Sequence, residues 1–274
     1  MQFDFRPRWM TLSAYIGGIG VLGPGLHSWP QAAAVLSGSL PYLTAPTVLP
    51  VPAMLPAAER RRTGRVVKLA LAVASEAVAS AGADASQLPS VFSSSGSDGH
   101  ICHEICQALA LETREVSPTR FSNSVHNVAA GYWSIATNSM AESNVLCAFD
   151  ASCVAGLLDA MTQVAVDRHP VLFVAYDTEY PPPLHAKRPI PDALGIAMIL
   201  TPDKEHHSIA RIEVSLTDES ADKLADPELE ALRIAIPAAR SLPLLRVLAK
   251  GVNGRVILDY LDISRAAVQV ESCA

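Results

Sequence analysis

The chain is poor in aromatic and in charged residues. Of its 274 residues, 5% are Phe, Trp or Tyr and 18% are charged. It also lacks any run approaching the roughly 20 apolar residues that a membrane-crossing helix needs. The longest candidate, Val66 to Ala74, is interrupted by Lys68. There is no excess of basic residues, and a net charge of −6 excludes the basic surface that general nucleic-acid binding requires. The five cysteines, Cys102, Cys106, Cys147, Cys153 and Cys273, are odd in number and widely scattered, so no disulfide framework is expected. Cys102 and Cys106 stand four apart beside His100 and His103, but a zinc site needs further ligands and no second cluster supplies them. The pair reads as buried thiols on one helix face. The opening MQFDFRPRWM contains an acid and no apolar core followed by a cleavage site. No signal peptide is therefore expected, and the expected location is cytoplasmic. No internal repeat, low-complexity tail or cofactor motif is visible.

What the chain has in excess is Ala, Val and Leu; half of it is hydrophobic. Such a composition suits a helix-rich α/β core, or a surface buried against a partner subunit. Read in order, Tyr15 to Leu22 predicts a first strand and Gln31 to Leu36 a short helix. Five prolines between Pro41 and Pro56 predict an extended surface loop. Residues 59 to 81 predict the strongest helix, with Val66, Leu69, Ala70, Val73 and Ala77 on one face and Gly82 as the stop. A strand centred on Val91 and Phe92 leads into a Ser/Gly turn, then helices follow over Gly99 to Leu111 and Ser124 to Thr137. Asn144 to Phe149 predicts an apolar strand, Ser152 to Val166 a helix and Val171 to Tyr176 a buried strand. Beyond the Pro-rich loop at Tyr180 to Pro191, Gly195 to Leu200 and Ile209 to Leu216 read as an antiparallel pair. Asp218 to Glu230 reads as an acidic loop entering a helix, and Arg255 to Leu258 with Ala266 to Val270 as a closing hairpin. Alternating apolar strands and helices predict an α/β fold, a mostly parallel sheet with helices on both faces.

Three local motifs sharpen this: RRRTGRVVKLALAVASEAV at 60 to 78, NVAAGYWSIA at 127 to 136, and NVLCAFDASCVAGLLDA at 144 to 160. Together they resemble the Arg-rich helix, the N-x-x-A-G-x-x-x-I helix and the strand–nucleophile–helix centre of β-ketoacyl synthases, in the thiolase superfamily. The likeness runs from about Leu12 to Leu200. It implies a truncated thiolase-like fold over 1 to 274 as a single domain, with 201 to 274 as a reduced C-terminal region. Two departures stand out. Asp150 takes the place of the family's cysteine, and a carboxylate there cannot hold an acyl group as a thioester. The H-G-T and G-H-x segments of the family's C-terminal half, with its lysine, have no counterpart between Leu200 and Ala274. Such a chain resembles the chain length factors of type II polyketide systems, most of all the short ones of aryl polyene pathways.

The resemblance implies an accessory subunit without catalytic residues or cofactor. Its partner would be an active ketosynthase, joined as a heterodimer. The strand Asn144, Val145, Leu146, Cys147, Ala148 and Phe149 would lie at the dimer axis, since an edge strand offers unpaired donors and acceptors. Ile101, Ile105 and Phe121 would form tunnel wall. Arg60, Arg61, Arg62 and Arg65 would dock an acyl carrier protein. Plainer readings stand beside each. Asp150 reads as an N-cap, its carboxylate accepting from the backbone of Ser152 or Cys153. Ile101 and Ile105 read as ordinary core, and the arginines as a solvated helix start partly offset by Glu59. Cys153, in the first turn of a helix, offers a rival: an independent acyl-transferring or hydrolysing enzyme. A homodimeric acyl or carrier-protein binding module is the other. The serines around Ser94 lack a G-x-S-x-G elbow, the local order being Gly96-Ser97-Asp98-Gly99.

Overall fold

The computed structural model describes residues 11–273. In chain order its strands are β1 (Leu12–Leu22), β2 (Ser90–Ser93), β3 (Ser143–Leu146), β4 (Val171–Asp177), β5 (Leu194–Thr201), β6 (Ala210–Thr217), β7 (Gly254–Asp259) and β8 (Arg265–Ser272). The helices are α1 (Trp29–Ser37), α2 (Ala57–Arg60), α3 (Arg65–Ala81), α4 (Gly99–Ala110), α5 (Pro118–Asn123), α6 (Val128–Thr137), α7 (Ser152–Asp167), α8 (Pro227–Ala235) and α9 (Leu242–Lys250). Short 3-10 turns cover Phe149–Ala151, Leu184–Ala186 and Pro237–Ser241.

All eight strands join one sheet in the order β3-β2-β4-β5-β1-β6-β8-β7. Every residue of β4 and β5 is buried. Side chains alternate across a strand, so both faces need a cover. Val171, Phe173 and Ala175 of β4 pack on one face with α1, α7 and α9. Leu172, Val174 and Tyr176 pack on the other with α3 and α6. The expected helices on both faces are therefore present. The parallel pairing expected for the sheet is confined to β3-β2-β4. The other five pairings are antiparallel, so the sheet is mixed. β5 and β6, expected as neighbours, are separated by β1, which pairs with both. The long β1 has a bulge between Ile16 and Gly18 and can serve two partners along its length.

The helix expected over 59 to 81 is broken. α2 ends at Arg60, and α3 starts only at Arg65. Gly64 sits at the break, where a Cβ would stand 2.4 Å from Asp98 Oδ2. That close approach fixes the corner. Of the helix expected over 124 to 137 only Val128–Thr137, α6, is helical, and the short α5, Pro118–Asn123, precedes it as a separate helix. α7 with the turn before it, Phe149–Asp167, is apolar and long enough to cross a membrane by composition. It is a core helix: Val154, Leu157, Met161 and Val164 are buried among the sheet residues.

α3 lies almost on the backbone of β1. A Cβ on Gly20 would stand 2.0 Å from the Val73 carbonyl oxygen, and one on Gly18 2.3 Å from that of Ala77. Glu76 of α3 locks the same corner by accepting from Val21 N at 2.9 Å and Trp29 N at 2.6 Å. Gly20→Ala should push α3 off the sheet and cost about 2 kcal/mol or more, as overpacking against backbone does. Urea unfolding of the variant beside the wild type measures this; equal midpoints would contradict it.

Candidate functional site

The carboxyl ends of the parallel strands β2, β3 and β4 meet at one edge. β2 runs into the turn Ser94–Ser97, held to β3 by Ser94 N donating to Leu146 O at 3.2 Å. Strand β4 ends in Asp177, which is 3% exposed. Its Oδ1 accepts from Ser95 N at 2.8 Å and Ser95 Oγ at 2.6 Å, and its Oδ2 from Ala238 N at 2.8 Å. Burial outweighs these bonds and lifts the Asp177 carboxyl to about 6. Ser152, at the start of α7, accepts from Ala148 N at 2.9 Å, and its hydroxyl lies 3.1 Å from Ser94 O. The edge is thus tied by polar contacts from four separate segments.

β3 closes the sheet at this side, with β2 as its neighbour and no other strand beyond it among the described residues. The strand stops at Leu146, three residues short of expectation. Phe149 takes a left-handed conformation, φ 51°, which ends extended structure and opens the 3-10 turn. Asn144 and Cys147 are exposed, Val145, Leu146 and Ala148 half-buried, and Phe149 is 61% exposed.

Asp150 follows Phe149. It is not the N-cap: Ala151 is, and no side chain caps α7. Both carboxylate oxygens are taken instead by arginines. Arg188 Nη2 donates to Oδ1 at 2.5 Å and Arg240 Nη2 to Oδ2 at 3.1 Å. Arg240 Nη1 also donates to the Asp150 carbonyl at 2.9 Å. The Arg188 guanidinium sits 3.9 Å from the centre of the Phe149 ring, a cation–π contact. Two charge-assisted partners outcompete the weaker backbone donors that a cap would use. Cys153 is buried one turn on. Burial pushes its thiol to about 12; Asp177 adds to the rise and Arg240 opposes it. The helix N-terminus does not rescue it, so Cys153 is a protonated thiol at neutral pH rather than a nucleophile.

The remaining candidates sit beside this edge. Gly99 is the only buried residue of α4, and Ile101 and Ile105 are half-buried. Cys102 and Cys106 are exposed, against the expectation of burial, because α4 lies outside the two cores and packs chiefly on α5. Arg120 of α5 reaches Glu104 of α4 at 2.7 Å. Phe121 is 68% exposed. Asp98 caps α4 by accepting from His100 N and Ile101 N, each at 3.1 Å. Arg60 lies in α2, Arg61 and Arg62 in the turn, and Arg65 opens α3. Arg62 pairs with Glu59 at 3.3 Å and Arg65 with Glu179 at 2.6 Å.

Asp177, Arg188 and Arg240 were not singled out from sequence. Asp177 carried a signal, a carboxylate closing an unbroken apolar strand. Arg188 and Arg240 carried none, lying 38 and 90 positions from Asp150.

Residues 27–248 match the family model for the β-ketoacyl synthase N-terminal domain. The chain belongs to the β-ketoacyl synthase family. Solved structures agree on its thiolase-like fold. One match is to a chain in the complex of the ketosynthase ApeO with its chain length factor ApeC from Xenorhabdus doucetiae. It has 22% identity and a TM-score of 0.71, and covers 94% of this chain and 99% of that one. A chain of AntDE:AntF, a type II polyketide synthase acyl-carrier protein in complex with its ketosynthase, gives 10% identity and a TM-score of 0.72, covering 96% and 100%. The ketosynthase of module 6 of the Bacillus subtilis bacillaene synthase gives 11% and 0.68; 96% of this chain spans 71% of that one. No curated protein matches the sequence. Asp150 and the motif at 144 to 160 lie inside the matched span.

Two outcomes are expected. An Ellman's reagent titration at pH 8 should modify the exposed Cys102, Cys106 and Cys147 quickly and reach Cys153 only on unfolding; rapid labelling of Cys153 in the native chain would contradict its burial. Asp177 binds its proton more tightly when folded, at about 6 against an ordinary 3.8. Its contribution is fully present below the ordinary value and is lost as pH rises through about 6. Between pH 8 and pH 5 the wild type should gain about 1 kcal/mol over Asp177→Asn. Urea melts at both pH values give the comparison, and parallel pH dependence of the two proteins would refute it.

Proposed function

We propose that this chain is a non-condensing chain length factor that pairs with an active ketosynthase and shapes that partner's acyl tunnel, in polyene or polyketide assembly on a carrier protein. The observation that carries this reading is Asp150. It occupies the nucleophile position, cannot form a thioester, and has both oxygens engaged by Arg188 and Arg240. Cys153 is buried and its thiol is pushed up to about 12, which argues against it as the acyl acceptor. The partner supplies the cysteine and the histidines; this chain supplies interface and wall.

The edge strand β3 and the helix α4 support the pairing. β3 leaves one side of its backbone without a strand neighbour, a template for addition across a dimer axis. Phe121, Phe149, Leu109 and Leu111 expose between half and two-thirds of their surface, more apolar area than a solitary surface of this kind needs. His100 Nε2, His126 Nε2 and Glu179 Oε2 are buried without hydrogen-bond partners, and polar groups of a partner subunit would satisfy them. Bulky side chains at Ile101, Ile105 and Phe121 end an acyl chain by exclusion. Arg60 and Arg61 make no ion pair among the described residues, so they are the members of the basic group free to meet an acidic carrier protein.

Co-expression with a ketosynthase, followed by co-purification and product analysis, tests this. A stable heterodimer is expected, and Ile105→Ala and Phe121→Ala should lengthen its product. Unchanged product length would remove the tunnel-wall role. A soluble homodimer with no affinity for a ketosynthase would replace the reading with a binding module. Extension of a carrier-bound acyl group by the chain alone would end it.

A further inference from the structure

Two grooves meet along α9. One, of about 450 Å³, lies against Leu40, Pro41 and Tyr42. The other, of about 300 Å³, runs between α9 and the start of β7. They share Leu224, Arg246 and Lys250 as a common wall. Arg246 and Lys250 are one helical turn apart, so both side chains project from one face of α9. Lys223 joins them across the smaller groove.

Lys223 has a longer-range charge interaction with Glu230, whereas Arg246 and Lys250 lack the partners that the chain gives its other groove charges. Arg255 is neutralised by Glu219 at 2.5 Å. Asp222 accepts from Ile257 N at 2.7 Å, and Asp226 caps α8. Arg246 is half-buried, yet neither it nor Lys250 makes an ion pair or hydrogen bond among the described residues. In a chain of net charge −6, Arg246, Lys250 and Lys223 face Asp222 and Asp226 in the two linings, a local excess of one positive charge once Arg255 is paired with Glu219. Partial desolvation without a counter-charge is unfavourable, and a bound anion offsets it. The guanidinium fork grips a phosphate through two donors, and the ammonium groups add point charges. The larger groove continues this site with the ring of Tyr42 and the apolar surface of Leu40 and Pro41. Concavities of a few hundred Å³ suit a small molecule better than a flat protein face.

We propose that this double groove binds a small phosphate ester with at least two phosphate groups. The phosphates lie on Arg246, Lys250 and Lys223, and the organic moiety lies along Tyr42. The site is remote in sequence from Asp150. Isothermal titration of the full chain at low salt with pyrophosphate, ATP and coenzyme A tests it. Pyrophosphate should bind, and whichever of ATP and coenzyme A binds more tightly identifies the organic part. Arg246→Gln and Lys250→Gln should each weaken binding by about tenfold, Arg246→Lys should retain part of it, and Lys68→Gln should leave it unchanged. Circular dichroism confirms that each variant is folded. Absence of heat with all three probes, equal affinities across the variants, or binding of an acidic protein alone would overturn the proposal.

Discussion

The architecture depends on burying both faces of β4 and β5 at once. All seven residues of β4 and all eight of β5 are buried, so two separate layers of helix must close over them. α3 and α6 form one layer; α1, α7 and α9 form the other. The α3 layer can approach only because β1 presents Gly18 and Gly20 to it. With the layers in place, the ends of β2, β3 and β4 are left at one edge, and the polar turn at Ser94 and Ser95 is held there by the buried carboxylate of Asp177.

At that edge, buried and half-buried carboxylates tie distant segments together. Asp177 joins the β2 turn to the Pro237–Ser241 turn through Ala238. Asp150 joins the start of α7 to Arg188 and Arg240, from two distant segments. A salt bridge partly open to solvent contributes modestly, but here each carboxylate oxygen is held by a different arginine. Beside this edge, among the described residues, α4 lies outside the two cores and β3 has a strand neighbour on one side only.

Much of this was legible because it depends on local patterning. The apolar runs at Val171 and Gly195, the face of α3 and its stop at Gly82, and the three motifs of the β-ketoacyl synthase family are properties of neighbours in the chain. The errors came from contacts between distant segments. The break before Arg65 is set by Gly64 against Asp98. The insertion of β1 between β5 and β6 is a choice of pairing that no local pattern encodes. Cys102 and Cys106 were placed on an apolar helix face correctly, but whether that face meets a core depends on where the helix lies.

By itself the sequence determined the family, the two-sided burial of the central strands and the place of Asp150 in the motif at 144 to 160, since each is written in residue type and short-range spacing. Only the tertiary structure decided that Asp150 is bound by two arginines rather than capping a helix, that Cys153 is sealed and protonated, and that β3 lies at an edge. Those outcomes depend on which remote groups arrive within a few ångströms, and on how much water they exclude when they do.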